Sequence, residues 1–431
     1  MSKSINVRPL SGFRDFGQRE QAQRRWLIET ALSAYAQFGY LSIETPALER
    51  EEILQGQYGE DADTLRYKFD HFGSRIGLRY DHTVPFARFV ASKLPKGEIG
   101  LPFRRSVVGP VWRAEKAQKG RYREFYQGDY DIAGSSSPTA DAEVVLVAET
   151  VMQRLGVDYR IRINHRGLLD GILRSVQVPV EKAKLTLTVV DKLDKSGPDR
   201  VRDELRDRLE LSQTQIDDAL SMLQAQFDPK ALYKCLDAEG RDALENIKTI
   251  EEFAKLASAF SDRIIVDLSV ARGLMYYNAF VIETKIVGAE IVGAVIGGGR
   301  FDNTIGTFMD RQIPAVGASL GIDRCLDALA AVKKLPEEAA LCDVAISTFP
   351  TFERYMFGIA QALRQRSLSV VFPPEVAELR AQVGYAQKNA RFVLIYGEAE
   401  CDGGYFSLKD FKTNEQHRLN LEEVIKKIKG A

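Results

Sequence analysis

One segment of this chain concentrates charged side chains between two runs that are typical of β-strands. VVGPVWRAEKAQKGRYREFYQGDYDIAG, residues 107–134, holds five arginine or lysine residues and four carboxylates. Guanidinium groups bind phosphate or carboxylate through paired hydrogen bonds, and carboxylates accept from an ammonium group or a ring N–H. Both ends of an amino acid and the phosphates of a nucleotide could therefore be bound here. The residues concerned are Arg113, Arg121, Arg123, Glu115, Glu124, Asp129 and Asp131.

This segment resembles motif 2 of the class II aminoacyl-tRNA synthetases. Its sequence is similar to that of the histidyl-tRNA synthetase family in particular, in which a glutamine, here Gln127, precedes an acid, here Asp131, by four residues. A solvated hairpin is the alternative for an isolated arginine-rich ribbon. The resemblance implies that Arg113 faces the α-phosphate of ATP, that Gln127 binds the amino group of histidine, and that Asp131 binds its imidazole. It also assigns ATP contacts to Glu115, Arg121, Arg123 and Glu124.

Two further motifs extend the resemblance. LRYDHTVPFAR is similar to the eukaryotic and archaeal form of the family, in which the acid and the threonine, here Asp81 and Thr83, reach the amino group. The alternative from the residues alone is that Thr83 caps the next helix and Asp81 is solvated. ARGLMYY resembles the histidine-specific motif, whose arginine, Arg272, touches the α-phosphate and the histidine carboxylate. Its tyrosines, Tyr276 and Tyr277, would contact the amino acid, with Tyr277 beside the imidazole.

The remaining nucleotide contacts come from a glycine run and from a segment that looks like motif 3. Gly299 closes a triple glycine that lacks the spacing of a dinucleotide fingerprint and lets backbone approach a flat ligand. IPAVGASLGIDR ends in Arg324, which the resemblance places against the nucleotide. Three positions depart from the family motif RGLDYYTG, namely Met275, Asn278 and Ala279. These changes are also consistent with an alternative interpretation, in which the chain is a paralogue that has changed its substrate.

The sequence also predicts the elements that position these residues. Apolar residues recur at helical spacing from Gln18 to Gln37, Gly39 fits the end of that helix, and Pro46 ends the strand that follows. This order resembles motif 1, which implies a homodimer through residues 18–46. Alternation around Gly73 predicts a hairpin, followed by a helix from Val84.

We therefore predict an α+β class II synthetase catalytic domain built on an antiparallel sheet, with a helical insertion and a C-terminal α/β domain similar to anticodon-binding domains. A chain of 431 residues suggests two or three domains. The predicted boundaries are residues 1–172 and 262–334 for the two parts of the catalytic core, 173–261 for the insertion, and 341–431 for the last domain, where short buried strands alternate with helices.

Composition limits the other possibilities. The formal net charge is -1, so any nucleic-acid surface must be local. Four scattered cysteines and four histidines form no zinc-ligand spacing and indicate a reduced, cytoplasmic protein. Neither a signal peptide nor a long apolar run is present, which predicts no membrane contact. The resemblance implies that Mg²⁺ is bridged by the ATP phosphates, and Glu115 or Glu124 is the candidate for holding the metal or the ribose.

The expected function is histidine–tRNA ligation with ATP and Mg²⁺, with histidine and the acceptor stem and anticodon of tRNA(His) as partners. Two alternatives stay open. One is a synthetase-like paralogue that passes an amino acid to an acceptor other than tRNA. The other is the non-catalytic regulatory subunit of ATP phosphoribosyltransferase, which has the same catalytic fold.

Overall fold

A computed structural model describes residues 5–57, 63–116, 122–190, 193, 197–271, 277–336, 342–372 and 378–430. The chain forms two compact units. The first holds residues 24–335 and the segment before residue 16, and the second holds residues 16–23 and the residues from 336 onward. No helix within the described ranges combines the length and the apolar character needed to cross a bilayer.

The described strands of the first unit are β1 Leu41–Ser42, β2 Leu48–Arg50, β3 Lys68–His71, β4 Ser74–Leu78, β5 Phe103–Trp112, β6 Glu124–Ala133, β7 Tyr159–His165, β8 Ile264–Val266, β9 Phe280–Ile286, β10 Ile296–Arg300 and β11 Ala315–Gly321. Among the described residues, eight of them form one sheet in the order β1-β5-β6-β11-β10-β9-β7-β8, and three form a small sheet in the order β2-β4-β3. The β1–β5 and β7–β8 pairs are parallel, and the other neighbours are antiparallel. The predicted antiparallel sheet is confirmed, with a parallel strand added at each edge.

The helices described up to residue 335 are α1 Gln18–Gln37, α2 Glu51–Leu54, α3 Thr83–Lys93, α4 Pro138–Arg154, α5 Arg166–Ser175, α6 Val180–Val190, α7 Pro198–Leu209, α8 Gln213–Gln224, α9 Pro229–Cys235, α10 Ala238–Ala257 and α11 Ile322–Ala331. Short 3-10 turns add Leu94–Lys96, Ser261–Arg263, Glu290–Val292 and Ile305–Phe308.

Helix α1 has the predicted bounds and buries the predicted stripe. Leu27, Ala31, Ala34 and Tyr35 are fully buried, and the Tyr35 ring lies 4.8 Å from the Tyr130 ring on β6. Burial of each large apolar side chain contributes about 1.5–3 kcal/mol. The helix therefore covers one face of the sheet, which leaves the other face of β6 for the charged residues.

The stretch predicted as an insertion is helical, from α6 to α10. Ser212 and Gln215 form the capping box that the sequence indicates at the start of α8. Helix α10 packs against α4, α5 and β7, and the apolar residues of these helices share one hydrophobic cluster with the sheet. The domain boundaries themselves remain predictions.

The described strands of the second unit are β12 Cys342–Thr348, β13 Val370–Val371, β14 Ala390–Tyr396, β15 Phe406–Asp410 and β16 Gln416–Leu419, and its described helices are α12 Glu353–Gln365, α13 Leu379–Asn389, α14 Glu398–Gly403 and α15 Leu421–Lys429, with a 3-10 turn at Pro350–Phe352. The order is β13-β12-β14-β15-β16. Only β13, β12 and β14 run parallel, whereas β15 and β16 add an antiparallel hairpin. The sheet is therefore mixed. The sequence did not indicate the last two strands, because FSLKD and QHRL are too polar to be distinguished as buried runs.

Candidate active site

Three polar side chains occupy every second position of β6. Gln127, Asp129 and Asp131 therefore face the same side of the sheet. Their neighbours on the opposite side include Tyr130, which packs beneath α1. The strand register sets Arg105 of β5 opposite Asp131. The predicted binding residues Gln127 and Asp131 are thus brought together, and Asp129 lies between them.

Arg105 is a buried guanidinium, 1% exposed, that sequence analysis did not identify. Its Nη2 lies 2.5 Å from Asp131 Oδ2 and 3.8 Å from Asp129 Oδ2. The same nitrogen donates to the His82 carbonyl at 3.2 Å, and the guanidinium lies 4.6 Å from the Phe86 ring centre. A buried cation needs such partners, because leaving it unpaired would cost several kcal/mol.

Asp129 and Asp131 share this single guanidinium, so one positive charge faces two carboxylates. Burial raises the pKa of Asp131 and the pKa of Asp129 above the ordinary aspartate range, and Arg105 offsets the effect only in part. The Asp129 carboxylate also raises the pKa of Asp131, and nearby Asp81 raises the pKa of both groups. The site therefore favours a ligand that brings positive charge and hydrogen-bond donors.

Several acceptor atoms on this face have no hydrogen-bond partner within the described part of the chain. They are Gln127 Oε1, Asp129 Oδ1 and the Ser319 hydroxyl, which β11 sets opposite Asp129. Buried polar atoms of this kind are almost always satisfied in folded proteins, and exceptions mark ligand or water sites. Their position together on two neighbouring strands, β6 and β11, indicates a built site for a ligand with N–H donors.

Asp81 and His82 connect β4 to α3, which begins at Thr83, and all three residues are buried. Asp81 Oδ1 accepts from the Val84 N–H at 3.1 Å. The alternative that Asp81 is solvated and Thr83 caps the helix is therefore wrong: the aspartate does the capping, because its carboxylate is three residues from the free N–H. His82 Nε2 lies 3.2 Å from the Gly109 carbonyl, and burial, with Arg79 and Arg105 nearby, holds the pKa of its imidazole well below the usual value.

Arg113 lies just beyond the end of β5, where the pairing of β5 with β6 ends. Its Nε donates to the Tyr80 carbonyl at 3.2 Å, and its guanidinium is 4.3 Å from the Tyr80 ring centre and 5.1 Å from that of Phe125. Two aromatic faces thus hold the cation from its sides. The arginine is fixed before any phosphate arrives.

Glycines form the floor of the site on β10 and β11. A Cβ on Gly299 would lie 2.5 Å from the Phe280 carbonyl and 3.1 Å from the Tyr277 ring. A Cβ on Gly317 would lie 2.0 Å from Asp131 Oδ1. Only glycine fits at these positions, and the bare backbone brings Tyr277 and Asp131 close to the same surface.

The other predicted nucleotide contacts have these positions. Arg123 donates from Nε to the Glu115 carbonyl at 3.0 Å and from Nη1 to the Ser11 carbonyl at 3.2 Å. Glu124 Oε2 accepts from the Trp112 indole N–H at 2.7 Å, and Arg324 Nη1 donates to the Ala294 carbonyl at 3.1 Å. Outside the described residues lie Arg121, Arg272, Met275 and Tyr276. No group of three metal-ligating side chains occurs where the chain is described.

A second residue that sequence analysis missed is Asp323, next to Arg324. Its Oδ1 accepts from Arg14 Nη2 at 2.6 Å and from Arg24 Nη2 at 2.8 Å, and its Oδ2 accepts from the Tyr126 N–H at 2.7 Å. One carboxylate therefore links the start of α11 to the start of β6. Charge clustering within motif 2 could not reveal it, since the partners are remote in sequence.

The chain is similar to known proteins along nearly its whole length. Residues 12–325 match the family model described as histidyl-tRNA synthetase, and residues 343–431 match an anticodon binding domain. The chain is 34% identical over 421 residues to the histidine–tRNA ligase of Rhodopirellula baltica, covering 95% of each. It is 35% identical over 428 residues to that of Helicobacter hepaticus, covering 96% of each.

Solved structures give the same result for the fold. The crystal structure of histidyl-tRNA synthetase from Nostoc sp. PCC 7120 has a TM-score of 0.86 at 27% identity, covering 99% of this chain and 100% of that chain. An ATP phosphoribosyltransferase regulatory subunit/histidyl-tRNA synthetase from Bacillus halodurans C has a TM-score of 0.74 at 22% identity, covering 92% of this chain and 100% of that chain, which shows a shared fold alone. The ligases named above align along nearly their whole length, so the regulatory-subunit alternative is not favoured. The chain belongs to the histidyl-tRNA synthetase family and is an ATP-dependent aminoacyl-tRNA ligase of the histidine type.

Proposed function

We propose that this chain activates histidine with ATP and transfers it to tRNA(His), with chemistry on the Gln127–Asp131 face of β6. The observation that carries this proposal is the row of buried acceptor atoms on β6 beside the fixed guanidinium of Arg113. The acceptors suit the amino and imidazole N–H groups of histidine, and the cation suits an α-phosphate.

In the first step, an oxygen of the histidine carboxylate bonds to the α-phosphorus of ATP while the bond to pyrophosphate breaks. Two anions must meet, which costs several kcal/mol in a partly desolvated site. Arg113 and Arg272 would face the α-phosphate and neutralise the charge that grows on its oxygens. No protein nucleophile is needed, because the carboxylate of the substrate is already the attacking group.

Histidine would lie with its amino group toward Gln127, Asp81 and Thr83 and with its ring toward Asp131 and Tyr277, while Tyr276 borders the same pocket. Hydrogen bonds to the ring give strong discrimination, since a wrong side chain leaves buried polar groups unpaired. Asp131 is fixed from both sides by Arg105 and by the bare backbone of Gly317.

ATP would extend from the end of the β5–β6 pair, beside Arg113, along the glycines of β10 and β11. The residues proposed to contact it are Arg113, Glu115, Arg121, Arg123, Glu124, Gly299 and Arg324. Mg²⁺ keeps several waters and is usually held by substrate phosphates and one or two carboxylates. Glu115 and Glu124 are both candidates to approach that ion, and Glu124 also accepts from the Trp112 indole N–H. The ion would supply charge neutralisation at the β- and γ-phosphates.

In the second step, a hydroxyl of the terminal ribose of tRNA attacks the carbonyl carbon of the adenylate, and AMP leaves. We propose that the helices from α6 to α10 contact the acceptor stem, and that the second unit, which matches an anticodon binding domain, contacts the anticodon. The altered positions Met275, Asn278 and Ala279 would then be tolerated without a change of acceptor.

The test is ATP–pyrophosphate exchange with each of the standard amino acids, followed by charging of tRNA. We expect exchange with histidine alone and esterification of tRNA(His). Exchange with histidine but no charging of any tRNA would instead support an acceptor other than tRNA, and the absence of exchange would support a non-catalytic role. The two steps are measured separately, so each outcome names the part of the proposal that fails.

We also propose a homodimer through residues 18–46. Strand β1 is an edge of the large sheet, and Leu41 on it is 70% exposed. Leu48, Phe69 and Phe72, which lie outside that range in the small sheet and its turn, are exposed as well. An apolar edge of this kind favours pairing with a second copy.

Light scattering at micromolar concentration should therefore give the mass of two chains, and Leu41→Lys should shift the population toward one. Phe357→Lys, an exposed apolar position of the second unit, is the matched control. A wild-type chain that remains a monomer across the micromolar range would contradict this assembly.

A further inference from the structure

Resting on the proposed function, we propose that Asp129 is a further specificity-determining residue, whose carboxylate receives the α-ammonium group of the amino acid, while Arg105 reserves Asp131 for the neutral imidazole. The chain thereby provides one closely paired and one loosely paired carboxylate, which match the uncharged ring and the charged amino group of histidine.

Arg105 pairs unequally with the two acids. Its Nη2 is at ion-pair contact with Asp131, at 2.5 Å, but 3.8 Å from Asp129. The His82 carbonyl and the Phe86 ring hold the guanidinium in this position. The guanidinium is therefore held closer to Asp131, and Asp129 stays at the outer limit of ion-pair distance.

The atoms around Asp129 are set for a donor. Its Oδ1 and the opposing Ser319 hydroxyl are both buried and interact with each other, and neither has another hydrogen-bond partner among the described residues. A neutral ligand atom would satisfy one acceptor, whereas an ammonium group supplies three donors together with the missing positive charge. Burial is the largest cause of the raised pKa of Asp129, and Arg105 and Arg113 offset it only in part.

The order of the polar side chains along β6 matches the order of the polar groups in histidine. From the end that leads to Arg113, β6 presents Gln127, then Asp129, then Asp131. Two residues of an antiparallel strand span about 7 Å, comparable with the distance from the amino group to the far side of the ring. A histidine whose carboxylate lies toward Arg113 therefore meets Asp129 before Asp131.

This division predicts how cationic side chains are rejected. Because Arg105 already compensates Asp131, a lysine or arginine side chain would bring a second positive charge against the guanidinium. A neutral ring N–H meets no such repulsion. The pocket would thus discriminate by charge as well as by shape.

The test measures dissociation constants by calorimetry for two ligands, L-histidine and its deamino analogue 3-(imidazol-4-yl)propionate, which lacks the ammonium group. In Asp129→Asn, we expect histidine to bind about 100-fold more weakly, the usual range for a lost charged hydrogen bond, and the deamino analogue to change less than about threefold. In Asp131→Asn, both ligands should weaken, because both carry the ring. Arg104→Gln is the control, since Arg104 lies on the other face of β5 and binds Glu143.

Equal weakening of both ligands by Asp129→Asn would overturn the proposal, because a purely structural role acts on both. Unchanged histidine affinity would overturn it too. If Asp129→Asn fails to fold, Asp129→Ser supplies the same comparison with a smaller acceptor. Failure of the function proposed above is distinct, because the wild-type chain would then bind no histidine and catalyse no exchange.

Discussion

Arg113→Ala is expected to lower histidine-dependent ATP–pyrophosphate exchange by about three orders of magnitude, while the protein keeps its fold. Removing one fixed donor from a site of developing charge costs about 10²–10³ in rate. Here the lost group is a full cation held between two aromatic rings, so we expect the upper end of that range. The side chain is half-buried and contributes one hydrogen bond to a carbonyl, so its loss should change stability little.

Arg113→Lys separates charge from geometry. Lysine keeps the positive charge but loses the planar fork that spans two phosphate oxygens, so we expect partial recovery at best. Arg104→Gln, next to Arg105 but outside the site, should exchange like wild type. Near wild-type exchange by Arg113→Ala would remove this residue from the reaction.

Arg105→Met is expected to lower the free energy of unfolding by about 3–5 kcal/mol at neutral pH, the usual cost of leaving buried charges uncompensated. The variant keeps Asp129 and Asp131 buried without their shared cation. Urea unfolding of wild type, variant and Arg104→Gln measures the difference. Arg105→Met/Asp131→Asn should recover part of the loss, because the two positions interact directly.

The loss should depend on pH with a definite sign. Burial already raises the pKa of both carboxyl groups, and removing Arg105 raises them further. Between the unfolded aspartate pKa near 4 and the raised folded values, the folded state binds more protons than the unfolded state. Stability therefore falls as pH rises through this window and recovers toward acid. A variant whose loss is constant from pH 5 to pH 8 would contradict uncompensated charge as the cause.

Local signals in the sequence predict much of this fold. The apolar stripe of α1, the hairpin at Gly73 and the paired strands of motif 2 each follow from spacing within a short window, and the structure has all three. The glutamine and acid of motif 2 likewise share one face, because the separation of Gln127 and Asp131 is even. These features depend on neighbours within one element or one hairpin.

Contacts between remote segments could not be predicted in the same way. Arg105 precedes the charged cluster of motif 2, and only the register of β5 with β6 sets it opposite Asp131. Asp323 meets Arg14 and Arg24 because the whole first unit has folded. The local sequence around Asp81 fits either a buried side chain or a solvated one, and the burial of Asp81 between β4 and α3 excludes the second. The amino acid site is therefore more a product of strand order than of any single motif.

Strand order has a consequence for the time course of synthesis. The inner neighbour of β6 is β11, which begins at Ala315, long after β6 ends at Ala133. At ribosomal rates of about 5–20 residues per second, about 10–40 s pass before β11 has been made. During that interval one edge of β6 lacks its strand, and Asp129 and Asp131 lack the glycine floor. We expect the nascent chain to need protection from aggregation over this interval, since the histidine pocket can close only after translation has passed residue 321.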